Sequence, residues 1–168
     1  MAKTYLDQLV EYPAKIIKKI TEDKYCVGLI VNKAFDNVTE DDCDDVLENY
    51  IFDYEYVDET ALKTAAYIWV DVEVNSVTNM QMKGVRAYVT VACHKEYMSL
   101  DRRVFKGVVG NRKDNIVRFV DRLLNNADIF GIGKLKLLSV KTRTPISGYT
   151  LKELTYEIPD FNIVEISE

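Results

Sequence analysis

The chain has 168 residues, 48% of them hydrophobic and 29% charged, and carries a formal net charge of −5. That length gives room for one domain with a proper core, and the composition is that of an ordinary globular protein, neither disordered nor fibrous. No run approaches the roughly 20 consecutive apolar residues of a membrane-spanning helix, no apolar segment follows Lys3 as a secretory signal requires, and an acidic balance argues against nonspecific nucleic-acid binding as the main task.

The first element predicted is an amphipathic helix over Thr4–Ile20. Leu6, Leu9, Val10, Ile16, Ile17 and Ile20 recur at helical spacing. Thr4 is placed to cap it, Lys15, Lys18 and Lys19 suit the negative end of its dipole, and Pro13 should kink it or mark its true start. Thr21 is a candidate cap for a second short helix carrying Cys26, Val27, Leu29 and Ile30. Residues 32–64 are polar and acidic, with Thr39 as the cap of a short helix through Val46 and Leu47. Residues 50–57 read as a short edge strand or an extended lead-in.

The clearest pattern follows. In 66–74, Ala66, Ile68, Val70, Val72 and Val74 alternate with Tyr67, Trp69, Asp71 and Glu73. In 85–93, Val85, Ala87, Val89, Val91 and Cys93 alternate with Arg86, Tyr88, Thr90 and Ala92. Strict period-two alternation with β-branched enrichment predicts two half-buried strands. The connection 75–84 is long for a tight turn, so an extended hairpin with a projecting tip is expected. A second strong helix is predicted over 114–127, with Ile116, Val120, Leu123, Leu124 and Ala127 as its buried stripe. Strands at 134–142 and 149–158 close the chain, joined by Pro145–Gly148 and ended by Pro159. The fold expected is α+β: a small, mainly antiparallel sheet of about four strands flanked by two longer helices. A single domain is expected, with a helical, acidic part over 1–64 and a sheet-and-helix core over 65–162.

Charge is unevenly spread. Residues 36–59 hold 11 acidic side chains, among them Asp41, Asp42, Asp44 and Asp45, and no lysine or arginine. Residues 81–143 hold 14 basic side chains against 5 acidic ones, including Arg102, Arg103, Lys106, Arg112 and Lys113. Opposite flanks of this kind can dock head-to-tail between copies, and such contacts close into rings when the rotation fits. Two solvated faces of a monomer would account for the same asymmetry.

Catalytic and ligand-binding patterns are weak. Cys26, Cys43 and Cys93 are scattered, as reduced thiols are. His94, the single histidine, follows Cys93 on a strand and so points to the opposite face, which separates the two as metal ligands or as a nucleophile–base pair. The run 41–45 lacks the turn glycine of a calcium loop. Gly107 to Lys113 lacks the spacing of a phosphate loop. Asp71 and Glu73 share a strand face, but no acidic-x-Lys arrangement follows to complete a metal-dependent nuclease. No catalytic residue, metal site or cofactor is expected.

Several segments carry a resemblance. The run Phe105-Lys106-Gly107-Val108-Val109-Gly110-Asn111-Arg112-Lys113-Asp114-Asn115, the helix end Val120–Asn126, the run Phe130–Leu135 and the close Leu154–Asn162 are similar to neck and tail-completion proteins of long-tailed bacteriophages. From Ala65 onward the element order resembles that of tail terminators, and the likeness spans roughly residues 45–162. The resemblance implies a hexameric ring that caps the tail tube, ends its polymerisation and joins the tail to the head. Its partners would be other copies of itself, the tail tube protein and a stopper or connector protein, with DNA crossing the lumen without sequence readout and no membrane involved. The chain would then work in the virion, after assembly in the host cytoplasm. A head-completion (stopper) protein is the near alternative, and a small metal-dependent phage nuclease the alternative of another class. Interface residues expected on this reading are Asp41, Asp42, Asp44 and Asp45, the hairpin tip Thr78, Asn79 and Met80, and the basic set Arg102, Arg103, Lys106, Arg112 and Lys113.

Overall fold

A computed structural model describes residues 5–55, 64–79, 82–131 and 133–158. The elements run in the order α1 (Tyr5–Thr21), α2 (Lys24–Val31), α3 (Glu40–Asn49), β1 (Ile51–Phe52), β2 (Ala66–Asn79), β3 (Met82–His94), α4 (Arg112–Leu124), β4 (Lys136–Ile146) and β5 (Tyr149–Ile158), with single 3₁₀ turns at Phe35–Asn37 and Lys95–Tyr97. The expected class is found, an α+β fold. Among the described residues the sheet has five strands rather than about four, in the order β1-β2-β3-β5-β4. The extra one is β1, which pairs parallel with β2 through Ile51 and Phe52 only.

Local chemistry explains most element ends. Asp23, not Thr21, caps α2 by accepting from the backbone N–H groups of Tyr25 and Cys26 at 3.0 and 2.8 Å. The Thr21 hydroxyl instead donates to the Lys18 carbonyl in the last turn of α1. α1 runs on through Pro13 without ending there, and the expected cap Thr4 lies outside the described residues. Thr39 caps α3 as expected, in a reciprocal capping box with Asp42. Gly28 in α2 lets the chain double back: a Cβ there would meet the Lys33 carbonyl oxygen at 2.8 Å and the Phe35 ring at 3.0 Å. At the other side of the sheet β4 continues through Pro145 to Ile146, with irregular register between Arg143 and Ile146. An edge strand tolerates proline at such a bulge. The turn Ser147-Gly148 then needs only two residues, because both take positive φ, 45° and 86°.

The alternation of β2 and β3 falls out as read. Ile68, Val70, Val85, Ala87, Val89, Val91 and Cys93 are buried against Ile16, Ile20, Leu29, Ile116, Val120 and Leu124 from α1, α2 and α4. The helical N-terminal part and the sheet therefore share one apolar cluster, on one face of the sheet. α4 begins and ends earlier than expected, so Ala127 lies beyond it.

The hairpin differs from expectation. β2 and β3 stay paired as far as Asn79 opposite Met82, which leaves only residues 80 and 81 between them. β5 meets β3 no further than Val85 opposite Ile158. Ser76–Asn79 and Met82–Gly84 thus continue as a two-stranded ribbon past the ends of the other described strands. The projection comes from long strands and not from a long loop.

Candidate functional site

The residues expected at an interface fall into three groups. Asp41, Asp44 and Asp45 are exposed on α3. Asp42 is engaged within the chain: its carboxylate accepts from Lys33 Nζ at 2.7 and 2.8 Å and from the N–H and hydroxyl of Thr39 at 2.8 Å each. The lysine first, and the Thr39 donors after it, hold its pKa down from 3.8 to about 2. A folded-state value below the unfolded one adds stability that is present above pH 3.8 and lost as pH falls toward 2. The stability difference between wild type and Asp42→Asn is therefore expected to stay constant near neutrality and to vanish over that acid window. Urea titrations at stepped pH check this, and a difference that ignores pH would remove the ion pair from the account.

Thr78 and Asn79 lie at the end of β2, in the projecting ribbon, and Met80 lies outside the described residues. Of the basic set, Arg102, Arg103 and Lys106 are exposed on the loop between β3 and α4. That loop is held firmly. Phe105 is buried beneath it and its ring packs 5.5 Å from that of Phe35, and Asp101 accepts from the backbone N–H and guanidinium of Arg103. The basic loop thus sits on the helical layer beside Phe35, at the start of the acidic segment.

Arg112 and Lys113 must be withdrawn from the surface set, because they are only 2% and 8% exposed. The Arg112 guanidinium donates to the carbonyls of Leu29, Tyr97 and Ser99 and to Asn32 Oδ1, and stacks 3.9 Å from the Tyr97 ring centroid. The Tyr97 hydroxyl donates to the Ile30 carbonyl at 2.8 Å. The last turn of α2 has carbonyls with no partner inside the helix, and these two side chains supply donors to two of them. Asn32 ends α2 with φ 58°, a conformation open to asparagine as well as glycine, and asparagine adds the acceptor that Arg112 uses. Burial lowers the Arg112 pKa. Lys113 Nζ donates to Thr150 Oγ1 at 3.2 Å and links α4 to β5.

The thiols are poor nucleophiles. Burial raises Cys26, with nearby Asp23 adding to it, and burial raises Cys93 to about 11 against the opposing pull of Arg112 and Lys113. His94 Nδ1 accepts from the Glu96 N–H at 3.3 Å, and its ring meets Tyr149 edge-on. Among the described residues no group of three or more His, Cys, Asp or Glu side chains is placed to hold a metal ion, and no helix is long and apolar enough to cross a membrane.

The face of the sheet away from the helices holds what the alternation pattern assigned to solvent. Trp69 is 6% exposed and Ala92 fully buried there, in a second apolar cluster with Tyr149 and Leu151. Tyr67 joins it, with ring centroids 6.3 Å from Phe52 and 5.9 Å from Tyr149. Beside this cluster lies a groove of about 380 Å³ walled by Trp69, Asp71, Glu73, Glu55, Glu153 and Arg143. Arg143 is held between Glu55 at 3.3 Å and Glu153 at 3.7 Å. Among the described residues Asp71 and Glu73 pair with no cation, and the buried Trp69 indole N–H meets no acceptor. The signal for this surface was present in the sequence as two aromatic residues, Tyr67 and Trp69, on the strand positions that alternate with the apolar face.

Comparison with known proteins adds two findings. The sequence model of a family described as YomW matches residues 15–158. A chain of the solved virion of the native gene transfer agent (GTA) particle has a similar fold, with a TM-score of 0.57 at 11% identity, covering 95% of this chain and 100% of that one. No curated protein matches the sequence.

Proposed function

We infer, from the premise that this chain belongs to the YomW family, a phage-derived family, that it is a structural component of a phage-type virion. Its place would be the neck, as a ring that caps the tail tube, ends tube growth and joins tail to head. The observation that carries this reading is the full-length likeness of fold to a chain of the GTA virion. A projecting ribbon and an exposed, preorganised basic loop, both on a rigid core, suit a subunit that must meet several neighbours at once. The protein works by binding and not by catalysis.

Particles lacking the protein test this directly. A terminator's loss gives overlong tails without heads, whereas a stopper's loss gives tails of normal length that stay unjoined. In both cases an antibody should mark the head–tail junction of intact particles. Absence of the protein from purified particles would overturn the reading.

A further inference from the structure

The geometry points to the groove on the open face of the sheet as a socket for the basic loop of a second copy of this chain, an inference that rests on the ring reading above. Four carboxylates, Glu55, Asp71, Glu73 and Glu153, line the groove against one guanidinium, Arg143. Arg143 is engaged by Glu55 and Glu153, so among the described residues Asp71 and Glu73 remain without a cation. Arg86, the cross-strand neighbour of Glu73, does not pair with it.

Trp69, 6% exposed, forms part of the same wall. An occupant must therefore bring positive charge and lie against an aromatic side chain. A polypeptide segment with arginine or lysine does both, its cationic side chains reaching Asp71 and Glu73. The aromatic wall also suits a guanidinium.

The loop at 101–106 fits that description. Arg102 and Lys106 are exposed and pair with nothing among the described residues, while Phe105 anchors the loop from beneath. An anchored loop loses little freedom on docking. It rises from the helical layer, on the side of the sheet opposite the groove, so a chain cannot fill its own socket. The contact runs between copies, head to tail, which is the arrangement that closes into a ring.

Charge reversal in the full chain tests this. One variant carries Asp71→Lys with Glu73→Lys, the other Arg102→Glu with Lys106→Glu; all four positions are exposed, so the fold should survive, as the thermal transition will verify. Each variant alone should need at least tenfold more protein than wild type to reach the assembled species in sedimentation velocity. A mixture of the two, alternating around the ring, should restore assembly, as should one chain bearing all four changes. Trp69 is the single tryptophan, so its emission should change in step with assembly of the wild type. Wild type that stays monomeric at every concentration overturns the ring and this socket together. Assembly with unchanged Trp69 emission, or with either variant behaving as wild type, overturns the socket and leaves the ring standing. Failure of the mixture and of the fourfold variant to recover overturns the pairing of these two surfaces.

Discussion

Replacing Arg112 by methionine is expected to remove on the order of 4 kcal/mol of stability, because it leaves buried acceptors without donors at about 1–3 kcal/mol each. Four acceptors lose their partner: the carbonyls of Leu29, Tyr97 and Ser99, and Asn32 Oδ1. Methionine keeps part of the apolar contact with the Tyr97 and Phe105 rings, which offsets a share of that sum. For a chain of this size such a loss lowers Tm by on the order of 10 °C. Arg112→Lys should recover less than half, since an ammonium has no planar fork with which to reach carbonyls on two separate segments. Equilibrium urea denaturation measures both. A loss below about 1 kcal/mol for the methionine variant would mean that water takes over the role of the guanidinium.

The second large effect falls on assembly and leaves the fold alone. Ser76 and Gly84 face each other across the hairpin, so exchanging Val77–Lys83 for Asn-Gly rejoins them through a two-residue turn of the favoured hand. The ribbon removed lies beyond the end of β5, and stability should change by no more than about 1 kcal/mol. Particle joining, by contrast, should fall by at least a hundredfold if the ribbon reaches a neighbouring ring. Complementation of a null phage with the trimmed gene gives the number. Normal titres from the trimmed chain would leave the ribbon without a part in assembly, and a chain that no longer folds would show that the ribbon belongs to the core.

How much was legible beforehand divides along physical lines. Elements whose identity is set by their own periodicity were readable: β2 and β3 from alternation, α4 from its apolar stripe, α3 from Thr39. Features set by contacts distant in sequence were not. An arginine at the head of a polar turn reads as solvated, and nothing near Arg112 says that Leu29 and Asn32, 83 and 80 residues away, present acceptors to it. The run from Gly107 to Lys113 read only as glycines that lack the spacing of a phosphate loop. Its glycines instead take positive φ, 77° at Gly107 and 93° at Gly110, and lead the chain into Asn111, whose side chain caps α4 through the Asp114 N–H. Alternation likewise says which side of a strand Trp69 takes, but not that its neighbours on that side bury it without any of the described helices above them.

The reach of Arg112 also bears on the order in which this protein can be made. Translation delivers α2 first, and the carbonyl of Leu29 stays bonded to water until residue 112 has left the ribosome. β3 stands at the centre of the sheet, yet its second neighbour β5 is the last element of the described chain to emerge. A nascent chain stopped before Tyr149 would therefore carry both an open β3 edge and exposed core residues of that strand, surfaces that recruit chaperones and stray strands. Synthesis of β5 closes that edge, so only a chain extended as far as Ile158 can present the finished sheet face on which the socket is built.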